Sequence, residues 1–168
     1  MHKINGVSFM IFKFDLKKLL FSLFVPLAVG GLSYLATGGG MSSYKTFEKP
    51  PLSPPGIVFP IAWTILYTLM GISLYLVMTK KEIYQSKSTA YVFFALQLFL
   101  NFIWSPVFFS AKEYLAAFVI LVLMWCAIIG MIVSFFKISK TAGILQIPYL
   151  LWVTFAGYLN FGVYLLNR

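Results

Sequence analysis

Apolar residues run in long blocks along this chain. Five stretches contain no Asp, Glu, Lys or Arg: residues 19–44, 50–79, 88–111, 114–136 and 141–167. Together they hold 130 of the 168 residues, so all 13 basic and 4 acidic side chains fall in the tails and connections between them. A helix that crosses the hydrocarbon of a bilayer takes about 20 apolar residues, and each block is long enough. The pattern predicts five transmembrane helices at approximately 18–37, 57–79, 88–110, 114–136 and 142–166. Helices satisfy their backbone groups internally, as lipid requires. A β-barrel would instead show alternating segments of about ten residues, and none is evident. The expected fold is an all-α membrane protein, a bundle of five transmembrane helices.

Composition agrees and narrows the choice. Hydrophobic types make up 61% of the chain and charged types 10%, against about 25% charged in an ordinary soluble domain. A soluble fold of this size could not hide so much apolar surface. The composition excludes a soluble enzyme, a disordered chain and a disulfide scaffold. The net charge of +9 would suggest nucleic acid on a soluble protein. Here the basic residues flank the spans, so the charge reads as topology and no nucleic-acid partner is expected. Nine lie on the side of the N-terminus (Lys3, Lys13, Lys17, Lys18, Lys80, Lys81, Lys87, Lys137, Lys140) and four on the other (Lys45, Lys49, Lys112, Arg168). That bias places the N-terminus in the cytoplasm of a multi-pass integral membrane protein, in the cell membrane if the source is bacterial. The apolar run 7–12 is too short for a signal peptide. The single cysteine, Cys126, is mid-span and permits no internal disulfide. The only histidine is His2, which leaves no His-based triad, metal site or haem ligand.

Most connections are short. The first, about residues 38–56, opens with Gly38-Gly39-Gly40 and ends with Pro50-Pro51-Leu52-Ser53-Pro54-Pro55-Gly56. Proline should make its second half extended and stiff. A long loop among minimal ones is either a lid over the bundle or a plain connector. Pro26, Pro106 and Pro148 fall within spans and should kink or locally open helix interiors, whereas Pro60 lies near a helix start.

The polar and aromatic residues gather on faces. Phe59, Trp63, Tyr67, Met70 and Gly71 share one face of the second helix; Gln97, Asn101, Trp104, Ser105 and Phe108 one of the third; Tyr149, Trp152, Ala156, Leu159, Asn160 and Val163 one of the fifth. Amides in lipid are costly, so the Gln97/Asn101 face should point into the bundle. These residues are either interhelical hydrogen-bond partners or the lining of a pocket for a flat apolar ligand, with π faces for stacking and amides for orientation. No span interior carries an ionisable Asp, Glu, Lys or Arg, which argues against a pump or ion-coupled transporter.

Three blocks carry a resemblance. Pro54-Pro55-Gly56-x-x-Phe59-x-x-x-Trp63-Thr64-x-Leu66-Tyr67-x-Leu69-Met70-Gly71 resembles the signature of the TspO/MBR family, the tryptophan-rich sensory proteins related to the mitochondrial translocator protein or peripheral-type benzodiazepine receptor. Leu100-Asn101-x-x-Trp104-Ser105-x-x-Phe108-Phe109 resembles that family's third helix. Pro148-Tyr149-x-x-Trp152-x-x-Phe155-Ala156-x-x-Leu159-Asn160 resembles its fifth. The resemblance implies one five-helix domain over residues 19–168 with residues 1–18 as an extension, often dimeric, and a pocket opening under the first loop. It implies porphyrins such as protoporphyrin IX, isoquinoline and benzodiazepine-type drugs as ligands, cholesterol in animal members, and no required cofactor. Carried over by motif, the ligand-binding residues are Tyr44, Pro54, Trp63, Tyr67, Asn101, Trp104, Trp152, Ala156 and Leu159. Leu159, Tyr164 and Arg168 fit a loose sterol pattern with the tyrosine and arginine displaced. Leu52 stands where some relatives have an aromatic.

The leading expectation is therefore a receptor or regulator that binds porphyrin, with no catalytic residues. Passive porphyrin or sterol transport and a weak light- or oxygen-dependent breakdown of porphyrin are the alternatives. A structural dimer, with Ala127 and Gly130 as contact points, is compatible with the first.

Overall fold

The computed structural model describes residues 14–38, 44, 46–81 and 84–168, without the side chains of 84–86. The expectations on His2, the other residues of 1–13, Gly39-Gly40, Lys45 and Glu82 lie outside the described residues. Among the described residues six helices appear with both ends in view: α1 Leu16–Ala36, α2 Val58–Thr79, α3 Tyr84–Phe109, α4 Tyr114–Ile138, α5 Lys140–Ile144 and α6 Ile147–Leu166. The last two form one span, so five helical segments are long and apolar enough to cross a membrane. The expected five-helix bundle is observed.

Each boundary has a local cause. Asp15 caps α1, accepting a 3.1 Å hydrogen bond from the Lys18 backbone N–H, and its own N–H donates to the Tyr75 hydroxyl of α2 at 3.2 Å. The Lys18 N–H, with the Lys18 side chain beside it, holds the Asp15 carboxyl below the usual carboxylate range. At the other end of α1, Gly38 turns the chain out at φ 58°, a conformation that glycine adopts without steric cost. Ser139 ends α4 and caps α5 by accepting from the Ala142 N–H at 3.4 Å.

The prolines behave in two ways. Pro26 and Pro106 sit inside α1 and α3. Pro148 does not kink a helix interior as expected. The fifth span is broken at Leu145–Gln146, and Pro148 occupies the first turn of the new helix, where its missing N–H costs nothing. The buried Gln146 side chain donates to the Leu69 carbonyl of α2 at 3.4 Å, which ties the break to its neighbour.

Packing runs around the bundle in the order α1, α3, α4, α5/α6, α2. The core is densest between α3 and α4, where Ala90, Phe94, Leu98, Ala117, Ile128, Met131 and Phe135 are all buried. Gly130 and Ala127 are spent here: a Cβ on Gly130 would strike the Phe93 ring of the same chain, and Ala127 is buried. Ala127 is thereby closed to a second chain, and Gly130 is half-buried. At the α1–α2 crossing, a Cβ on Gly71 would stand 2.7 Å from the Leu23 Cα. Only glycine allows the two backbones so close, the small-residue packing typical of helices in lipid.

Candidate functional site

A cavity of about 480 Å³ lies between α1, α2 and α3, in the halves of these helices nearest the first loop. From α2 it is lined by Phe59, Pro60, Trp63, Thr64 and Tyr67, from α3 by Asn101, Trp104, Ser105 and Phe109, and from the loop by Tyr44. From α1 come Leu27, Gly30, Gly31, Ser33 and Tyr34, with Thr37 just past its end. Its size falls within the roughly 300–1,000 Å³ of small-molecule sites. Among the described residues the lining contains no carboxylate, lysine or arginine.

A hydrogen-bond chain forms the inner wall. The Tyr67 hydroxyl donates to Asn101 Oδ1 at 2.9 Å, and Asn101 Nδ2 donates to the Tyr149 hydroxyl at 3.0 Å. The Tyr149 hydroxyl donates to Gln97 Oε1 at 2.9 Å, and Gln97 Nε2 ends the chain on the Phe94 carbonyl at 3.0 Å. A second link runs from Trp104 Nε1 to Asn160 Oδ1 at 3.1 Å, and from Asn160 Nδ2 to the Tyr114 carbonyl at 2.9 Å. Gln97 and Asn160 are thus interhelical partners rather than lining. Tyr67 and Asn101 do both: the Tyr67 oxygen keeps accepting capacity and the Asn101 amide keeps a second N–H. The wall is fixed in place and still offers polar atoms.

The aromatic rings are braced against one another. Trp63 stacks on Tyr67 with centroids 5.4 Å apart and meets Tyr149 edge-on at 6.1 Å. Trp104 stacks on Phe108 at 5.3 Å. Offset and edge-on contacts of this kind fix ring orientation, so the faces turned to the cavity are preformed.

The loop side is held by several contacts. The Tyr44 hydroxyl donates to the Pro54 carbonyl at 2.7 Å, and its ring meets Phe59 at 5.0 Å. Burial raises the Tyr44 pKa above the ordinary tyrosine value, with a hydrogen bond to Ser53 opposing it. Phe47 is buried edge-on against Phe108 and Tyr114. The Asn167 side chain, after α6, accepts from the Glu48 N–H at 3.0 Å and donates to the Glu48 carbonyl at 2.9 Å. The Tyr158 hydroxyl donates to the Pro51 carbonyl at 2.9 Å.

Of the residues singled out from the sequence, Tyr44, Trp63, Tyr67, Asn101 and Trp104 come together around this cavity. Pro54, Trp152, Ala156 and Leu159 do not line it. Pro54 anchors Tyr44. Trp152 lies behind Phe59, its ring edge-on at 6.0 Å, while Ala156 packs on the core and Leu159 is buried. The α1 wall was missed. Its signal was Gly30-Gly31 followed by Ser33, a run of small residues in a span of large apolar ones, the usual mark of close helix approach.

Comparison with known proteins yields one family. The TspO/MBR family profile matches residues 22–166. The chain is 42% identical over 124 residues to the tryptophan-rich protein TspO of Chlorobaculum tepidum, covering 74% of this chain and 78% of that one. It is 38% identical over 154 residues to the tryptophan-rich protein TspO of Archaeoglobus fulgidus, covering 91% and 99%. It is 34% identical over 128 residues to the human translocator protein, covering 76% of each.

Proposed function

The chain belongs to the TspO/MBR family, and on that premise we propose that it is a membrane receptor that binds porphyrins and other planar apolar ligands in the α1–α2–α3 cavity. The observation that carries this reading is the 480 Å³ chamber walled by Trp63, Tyr67 and Trp104 with Asn101 at its inner end. A flat ring system gains from burial and from stacking, at about 0.5–1.5 kcal/mol per aromatic contact beyond area. The Asn101 amide and Tyr67 oxygen supply one donor and one acceptor for a ring nitrogen or carbonyl. Tyr44, anchored on Pro54, covers the loop side. Trp152, Ala156 and Leu159 act from behind this wall, Trp152 by holding Phe59. The reading takes the N-terminus as cytoplasmic, from the nine-to-four bias of basic residues.

Titration with protoporphyrin IX in detergent, followed by quenching of tryptophan fluorescence, tests the proposal. Saturable quenching is expected, weakened in Trp63→Phe. The absence of saturable quenching in the wild type, or an unchanged affinity in Trp63→Phe, overturns it. Isoquinoline and benzodiazepine-type compounds should compete for the same chamber.

A further inference from the structure

We infer that ligands reach this chamber sideways from the bilayer, through an opening between the outer halves of α1 and α2. The inference rests on the proposed ligand site and adds its route and the class of molecule that the route admits.

The opening follows from how the two helices meet. Near mid-span they touch, with Gly71 against the Leu23 and Ser22 backbone. One step further out, a Cβ on Gly30 would run into the Tyr67 ring. The neighbouring position is open: a side chain added at Gly31 would meet nothing within 4 Å. The cavity begins there. Ser33 of α1 and Tyr67 of α2 are buried and Gly30, Phe59 and Trp63 half-buried, but every exposed residue of the described lining belongs to these two helices. Leu27, Gly31 and Tyr34 of α1 and Pro60 and Thr64 of α2 are exposed, Leu27 at 40% and Tyr34 at 59%. On α3, Asn101 and Trp104 are buried and Ser105 and Phe109 half-buried. The chamber is therefore closed toward α3 and open along the α1–α2 edge, which faces lipid in a membrane-spanning bundle.

The described part of the loop presents the opposite picture. Residues 47–54 are fastened by Asn167 on Glu48, Tyr158 on Pro51 and Tyr44 on Pro54. A ligand entering there would have to break several of these bonds, whereas one entering between α1 and α2 breaks none of them.

Among the described residues the edge carries no charged side chain, and it ends at Thr37, just past the end of α1. It suits a planar amphiphile already dissolved in the bilayer, which slides in ring-first with its polar rim in the headgroup layer. A molecule charged along its whole length would not pass.

The test is stopped-flow quenching in lipid nanodiscs, with protoporphyrin IX supplied from donor vesicles and withdrawn by acceptor vesicles. Gly31→Phe has room for its side chain and fills the opening from α1; Thr64→Phe fills it from α2. Each should slow association by about tenfold, with dissociation slowed alongside, the signature of a narrowed passage rather than a lost contact. Asn167→Ala, which frees the loop, should leave both rates within about twofold of wild type. Wild-type rates in either blocked variant, with wild-type helicity and elution, overturn the route, and so does acceleration in Asn167→Ala. No quenching by wild type is a different result: it overturns the binding reading and the route with it.

Discussion

α1 and α4 are both long apolar spans, yet they are held in opposite ways. Of its most apolar 18-residue window, α4 buries 39% and α1 only 17%. α4 contributes large side chains to the core, including Leu121, Met124, Ile128, Met131 and Phe135. α1 buries Ser22, Pro26 and Ser33. In lipid there is little hydrophobic force to draw a helix inward, because acyl chains are as apolar as leucine. α4 is held by interlocked volume, whereas α1 is held by backbone proximity at a few small residues. That makes α4 a fixed wall and α1 the removable one, on the side where the cavity lies.

The contrast can be broken most directly at Gly71. Gly71→Leu places a side chain against the Leu23 backbone, which cannot rotate away. The loss should be at the upper end of the roughly 1–3 kcal/mol typical of overpacking, with α1 displaced, as thermal unfolding in detergent and protection of α1 amides would record. The more firmly held side of the bundle is probed where α6 meets α3, by Tyr149→Phe, which removes the hydroxyl shared by Asn101 and Gln97. Leaving a buried amide half-satisfied should cost about 1–2 kcal/mol in the same unfolding assay.

Binding sharpens the comparison further. Trp63→Phe should weaken protoporphyrin IX binding about three- to tenfold, and Trp152→Phe, one ring removed from the cavity, less than about threefold. Equal losses in the quenching titration would move the site toward α6. The smallest effect concerns the start of α1. The Asp15 carboxyl is held below its ordinary range by the Lys18 N–H, so its stabilisation is complete above the unfolded value. It is lost as pH falls through the lowered folded one. Amide protection factors at the first turn of α1, taken against the intrinsic rate at each pH, should fall on acidification in wild type and be already low in Asp15→Ala.

Much of this was legible in the sequence, for reasons that differ by residue. The spans could be drawn because charge has only one place to go in a membrane protein. Gln97 and Asn101 could be aimed inward because an amide in hydrocarbon needs a partner. The mark on α1 was weaker: Gly30, Gly31 and Ser33 signal close helix approach but not a cavity, and Leu27 is indistinguishable from a lipid-facing leucine. The break at Leu145–Gln146 was hidden because both its flanks are apolar. Trp152, Ala156 and Leu159 share a helix face with Tyr149, but periodicity cannot say which part of a face meets a cavity and which meets another side chain.

The clasp between Glu48 and Asn167 joins residues 119 apart in the chain. Its first half is made with α1 and α2, and its second only after α3, α4 and α6. During synthesis, the first two helices can pair through Gly71 and Gly30 long before anything exists to fasten the loop above them. The cover of the chamber is therefore the last part to assemble. A chain stalled before Asn167 would carry the α1–α2 pair without this fastening, and the maturation of the loop would report completion of the whole bundle.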